Sequence, residues 1–161
     1  MTIANPYSFR AQSRVGEQGE SALDLWFSRF YRLWPASTDQ ERRGIDRVAT
    51  HHLSRQVITL QYKTDTKAHR TGNAFIETLS VAPHKPGWAV SCVADYLCYW
   101  AVGGGLYICP PSAIKEALPQ WRDRYPARRV PNRGYETEGL LVPLAQLQSL
   151  TKVFIPEFSP S

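Results

Sequence analysis

Residues 45–63, IDRVATHHLSRQVITLQYK, decide how this chain is to be read. Over 45–52, and again over 56–63, apolar and polar residues alternate with a period of two, the spacing of half-buried strands and not of a helix. The short break at 53–55 makes the pair a β-hairpin or two neighbouring strands. In the second run Ile58, Leu60 and Tyr62 share one face, which leaves Val57, Thr59, Gln61 and Lys63 on the other. Gln61 and Lys63 therefore project to the same side of a sheet.

Upstream, residues 1–15 are polar and read as a frayed arm. A helix is expected from Gly16 to Pro35, with acids first and arginines last to match its dipole, and Ala22, Trp26, Phe30 and Leu33 on its core side. PASTDQERRG then reads as a polar connector. Downstream, TDTKAHRTG reads as a turn, NAFIETLS as a third strand and APHKPG as a loop. WAVSCVADYLCYWAV predicts a short strand followed by a buried helix, broken by GGG. LYICP follows as a central strand. PPSAIKEALPQWRDRY opens as helices do, and Pro119 predicts a kink or an early stop. GLLVPL belongs to a last strand or strand pair, AQLQSL to a final helical turn, and the tail carries prolines. Strands alternating with helices imply an α/β sheet with helices on its faces.

A chain of 161 residues, 43% hydrophobic and 20% charged, supports one compact domain with its own core. No apolar run reaches the roughly 18 residues of a membrane span, and MTIANPYSFR lacks the apolar stretch of a secretory signal, so the expected location is cytoplasmic. Cys92, Cys98 and Cys109 sit among apolar neighbours without a CxxC and read as reduced core residues. His51 and His52 have no nearby cysteine partner for a zinc site.

The formal net charge is +5, and most of the excess lies in 115–133. There Lys115, Arg122, Arg124, Arg128, Arg129 and Arg133 interleave with Trp121 and Tyr125, a mixture that suits a phosphate backbone and stacked bases. A solvated helix face followed by a loop is the alternative reading.

Chemistry concentrates earlier. Glu17 and Glu20 fall on the first helix, Asp46 at the start of the first strand of the hairpin, and Gln61 with Lys63 on one face of the second. If the strands pair, these groups meet at one end of the sheet. Oxygen clusters of that kind suit Mg²⁺, and a lysine beside them can position a nucleophilic water or steady a phosphate. Glu77 is a carboxylate between Phe75 and Leu79 and reads as a possible support for Lys63 or as an exposed strand residue. Asp95 reads as a helix cap ahead of a strand-bonding role, and Asp65 as a turn residue. Ser80, His69 and His84 form no triad pattern, and no phosphate-binding G-x-x-x-x-G-K-[ST] occurs.

These residues resemble the signature of the PD-(D/E)XK nuclease superfamily, whose pattern is an acid heading one strand, acid-x-lysine on the next, and often a glutamate on the preceding helix. Asp46 in GIDRV, Gln61 and Lys63 in LQYK, and Glu20 match it. Arg14, Gly16 and Glu20 are similar to the R-x-G-x-x-x-E helix opening of archaeal Holliday-junction resolvases. The resemblance covers roughly residues 14–110. It implies a restriction endonuclease-like fold, a central mixed β-sheet flanked by helices, and a Mg²⁺-dependent (or Mn²⁺-dependent) endodeoxyribonuclease. Asp46, Gln61, the Tyr62 carbonyl and Glu20, directly or through water, would hold the metal, and Lys63 would orient water. The five arginines and Lys115 would grip DNA, and a homodimer or higher assembly would cut both strands. Gln61 departs from the usual acid and removes a negative charge; a QxK variant is tolerated in some members, including a bacterial homing endonuclease of this fold. A catalytically weakened DNA-binding protein and a protein interaction module are the alternatives.

Overall fold

A computed structural model describes residues 9–161, with side chains from residue 13. The architecture is α/β: a mixed six-stranded sheet, a second antiparallel sheet of four strands, and helices. The hairpin reading holds. Strand β2 (Arg47–His51) pairs antiparallel with β3 (Val57–Asp65), placing Arg47 opposite Leu60 and Thr50 opposite Val57.

The first helix is displaced from its expected bounds. Helix α1 spans Phe9–Phe27, so residues 9–15 are helical and not a frayed arm, and residues 1–8 lie outside the described residues. It stops well short of Pro35, because Tyr31–Pro35 forms β1 on the outer edge of β2, with Tyr31 opposite His51 and Pro35 opposite Arg47. YRLWP is rich in aromatics and ends in proline, which suits an edge strand better than a helix interior. The helical spacing of Ala22, Trp26, Phe30 and Leu33 joins residues of α1, of the following turn, where Phe30 is exposed, and of β1. The connector holds a short helix α2 (Thr38–Arg42), with Ser37 and Gln40 capping each other's backbone N–H.

The turn after β3 contains α3 (Ala68–Thr71), whose first N–H groups donate to Asp65 Oδ1. Strand β4 (Asn73–Val81) forms as expected but leaves the first sheet. It pairs with β5 (Lys85–Pro86) and with β9 (Glu136–Pro143) in the second sheet, ordered β5-β4-β9-β8 with β8 at Ala127–Pro131. The following apolar stretch is the reverse of its expectation, a short helix α4 (Trp88–Ser91) and then strand β6 (Tyr96–Ala101). β6 lies parallel to β3 on one side and antiparallel to β7 (Leu106–Cys109) on the other. A strand buried on both faces reads as a continuous apolar run, which periodicity cannot tell from a buried helix.

Helix α5 (Pro111–Arg124) runs through Pro119 without stopping, its exposed Pro119 standing between Leu118 and Trp121, which are anchored in the core. The basic stretch continues as strand β8 (Ala127–Pro131) instead of a loop, paired with β9. α6 (Leu144–Gln148) is the final helical turn, and the tail adds β10 (Val153–Ile155) beside β7. The six-stranded order is thus β1-β2-β3-β6-β7-β10.

Two apolar layers flank that sheet. On one face Leu23 and Phe27 of α1 meet Ala49, Leu60, Tyr62, Cys98, Leu106 and Phe158. On the other, Leu97, Tyr99 and Cys109 meet Ile76, Leu140 and Val142 of the second sheet, with Ile114, Leu118 and Trp121 of α5. Leu23 is fully buried, and truncating such a leucine to alanine costs about 2–5 kcal/mol. Asp65 and Tyr99 tie the first sheet to the second, since the Tyr99 hydroxyl donates to Asp65 Oδ2 and accepts from the Phe75 N–H of β4. Among the described residues no helix is long and apolar enough to cross a membrane.

Candidate active site at the β2–β3 edge

The ladder between β2 and β3 begins at Arg47 and Leu60, while β3 continues to Asp65. Asp46 occupies the place where β2 has not yet started. Its N–H donates to the Leu60 carbonyl at 2.8 Å, and its Oδ2 accepts the Tyr62 N–H at 2.6 Å. The carboxylate therefore replaces a missing strand partner, and one of its oxygens is oriented by the backbone of the segment that carries Gln61 and Lys63.

Side chains alternate along β3 as expected. Tyr62 turns towards α1, stacks on Phe27 at 5.9 Å, and donates its hydroxyl to Asp24 Oδ1 at 3.0 Å. Burial and the Asp24 charge push its phenol well above its ordinary range. Gln61 and Lys63 face the other way. Gln61 is only 5% exposed, and its Oε1 is buried without a hydrogen-bond partner among the described residues. A buried amide oxygen in that state carries a desolvation penalty unless something accepts its lone pairs. Lys63 is half-buried and forms no ion pair within 4.0 Å among the described residues.

Glu77 joins the same region from the second sheet, at an irregularity between Glu77 and Leu79 in the β4–β9 register. Burial raises its pKa, opposed by the charge of Lys63, a hydrogen bond from the Trp88 N–H and the charge of Lys85. Gly87 makes the close approach possible, for a Cβ there would lie 2.7 Å from Glu77 Cγ. Cys92 completes the surroundings. Its thiol donates to the Gly44 carbonyl at 3.3 Å, and burial raises its pKa, with Lys63 lowering it and Asp46 raising it further. Lys63 and Asp46 thus both lie within electrostatic reach of the Cys92 thiol.

Glu20 is placed differently from its expectation. It does not lie over the Gln61–Lys63 face but pairs with Arg47 on the α1 side, Nη2 to Oε2 at 3.1 Å. The acid that α1 chiefly lays on the strands is Asp24, one helical turn further on, gripped by Arg47 through Nε and Nη2. Sequence reasoning missed both Asp24 and Arg47. The signal was there in Asp24 at i+4 from Glu20 and in an arginine directly following Asp46. Glu17 is exposed on α1, and among the described residues nothing ties its carboxylate to the cluster. Asp95 caps no helix; its Oδ2 accepts the Thr59 N–H and hydroxyl at 2.8 and 3.0 Å, bonding the neighbouring strand at the far end of β3.

The basic residues separate. Lys115 lies near the start of α5, Arg122 and Arg124 in its last turn, Arg128 and Arg129 on β8, and Arg133 in the β8–β9 turn. Arg129 is tied to Glu138 at 3.0 Å and Glu136 at 3.4 Å, whereas Arg128 and Arg133 form no ion pair among the described residues. Arg128 lies opposite Gly139, which lies opposite Glu77, so two strand spacings of about 4.8 Å each separate the basic strand from the acid.

Among the described residues no group of three or more His, Cys, Asp and Glu is set to hold a metal ion. Asp46 offers one carboxylate oxygen beyond the one its backbone bond uses, and Gln61 offers an unsatisfied carbonyl, a sparse set compatible with Mg²⁺, which keeps most of its waters and takes one or two carboxylates plus substrate phosphate. Comparison of the chain with family models, curated proteins and solved structures gives no match.

Proposed function

We propose that the chain is a Mg²⁺-dependent DNA endonuclease of the restriction endonuclease-like type, with its active site at the β2–β3 edge. The observation that carries this reading is the Asp46 carboxylate, bonded to the Tyr62 N–H between Gln61 and Lys63, which among the described residues have no partner for the Oε1 and no ion pair, respectively. Acid, amide and lysine follow in the order of a QxK variant of the PD-(D/E)XK pattern, the acid just before β2 and the amide and lysine on β3, which supports this reading. Asp46, the Gln61 Oε1 and the Tyr62 carbonyl would hold the ion. Bound there, the ion would supply Lewis-acid stabilisation of phosphate charge and lower the pKa of water.

The chain's own groups do the rest. Lys63 would orient the attacking water against the phosphate through its Nζ. Arg128, two strands from Glu77, and Arg133 in the β8–β9 turn, neither in an ion pair among the described residues, together with Arg122 and Arg124, would bind backbone phosphates and set the position of the duplex without reading its sequence. A symmetric pair of chains would cut both strands. The neutral Gln61 favours a second reading, a protein that binds DNA with weakened chemistry.

The test is cleavage of plasmid, linear and branched DNA with Mg²⁺ or with chelator, by the wild type and by Lys63→Ala. Metal-dependent cleavage by the wild type, lowered about a hundredfold or more in Lys63→Ala with DNA binding kept, supports the nuclease reading. Salt-sensitive binding without cleavage would replace it with the second.

A further inference from the structure

A closed ring of hydrogen bonds runs through α1, β2 and β3. The Tyr62 hydroxyl donates to Asp24 Oδ1 at 3.0 Å, and the Tyr62 N–H donates to Asp46 Oδ2 at 2.6 Å. The Asp46 carbonyl accepts Arg47 Nη1 at 2.8 Å, and Arg47 returns to Asp24 through Nε at 3.0 and 3.1 Å and Nη2 at 2.9 Å. All three guanidinium nitrogens are engaged, and the Arg47 side chain is 17% exposed.

We propose that Asp24 and Arg47 are positioning residues for the active site, holding Asp46 by its main chain while Tyr62 holds it by its carboxylate. The inference rests on the nuclease reading above. Asp24 reaches Asp46 by two routes, through Arg47 to the carbonyl and through Tyr62 to Oδ2, so neither end of Asp46 can shift without breaking a charge-assisted bond. The planar fork of arginine is what allows one side chain to face Asp24 and the Asp46 carbonyl together; lysine has the charge without the fork. The same geometry divides the two acids of α1. Asp24 takes the Nε side of the fork and the tyrosine hydroxyl, while Glu20 takes a single contact from Nη2 with its side chain 41% exposed. Glu20 is therefore the acid free to exchange partners, and Asp24 the one that stays. Gly19 lets α1 come this near, because a Cβ there would run into the Thr64 side chain.

Arg47→Lys tests the proposal at constant charge, so that a change in metal affinity cannot come from removing a cation. Mn²⁺ binding by titration calorimetry, Mg²⁺-dependent cleavage, DNA affinity in chelator and thermal unfolding would be measured on the wild type, Arg47→Lys and Tyr62→Phe. The expected result is about tenfold weaker Mn²⁺ binding and about tenfold slower turnover at saturating DNA for Arg47→Lys, with DNA affinity unchanged, as outer partners of metal sites behave. Tyr62→Phe, which cuts the ring at the Asp24 hydroxyl bond alone, should move both in the same direction by less. It keeps the test open should Arg47→Lys fail to fold. A wild type that binds Mn²⁺ and cleaves, with folded variants indistinguishable from it in both, overturns the positioning role and leaves the nuclease reading standing. A wild type that neither binds Mn²⁺ nor cleaves overturns both.

Discussion

Asp46 does two jobs that a pair of substitutions separates. Its Oδ2 is the acceptor for the part-buried Tyr62 N–H at 2.6 Å, in the gap where β2 has not begun. Asp46→Ala leaves that N–H without a partner, at a cost of about 1–3 kcal/mol. For a chain of 161 residues each kcal/mol moves Tm by about 2–4 °C, so a loss near 2 kcal/mol lowers Tm by about 4–8 °C. Asp46→Asn keeps an amide oxygen for the same bond and loses only its charge assistance, about 1 kcal/mol, or roughly 2–4 °C. Cleavage should fall about a hundredfold or more in both, because either change removes the anionic donor. Stability would be read by urea and thermal unfolding, and function by Mg²⁺-dependent nicking of supercoiled plasmid, at temperatures well below either Tm. Wild-type cleavage by Asp46→Asn would reduce Asp46 to a structural cap and refute the assignment of the site. An Asp46→Ala protein as stable as the wild type would refute the energetic reading of the strand-end bond.

Two further outcomes follow from the charges. Glu77 is raised above its ordinary range by burial, so the folded state holds its proton more tightly than the unfolded state does. Its penalty is absent below the unfolded pKa of about 4.3 and grows as pH rises through the folded one, so Glu77→Gln should match the wild type in acid and exceed it at neutral pH in urea unfolding. A gain confined to acid would contradict this. For DNA, Arg128→Ala and Arg133→Ala should each lower the slope of log affinity against log salt by about 0.9. Arg129→Ala should change it far less, since Arg129 is held by Glu138 and Glu136; equal effects from all three would show that those ion pairs do not persist.

The local half of this protein is legible in its residues. Alternation over 45–63 determines the hairpin and puts Gln61 and Lys63 on one face, and the polar turns, the helix opening at Pro111 and the apolar run of LYICP follow from rules that act over a few residues. What tertiary structure decided is where ambiguous segments went and which distant charges met. YRLWP became an edge strand because β2 offered it a partner, YLCYWA became a strand because β3 and β7 flank it, and β4 left the first sheet to pair with β9. Backbone pairing between segments far apart in the chain outweighs local preference at such places. The candidate site divides in the same way. Asp46, Gln61 and Lys63 are fixed by strand register, which is local to the hairpin. Asp24 with Arg47, and Glu77 with Lys63, depend on how a helix and a second sheet pack against it, and only packing brings those charges together.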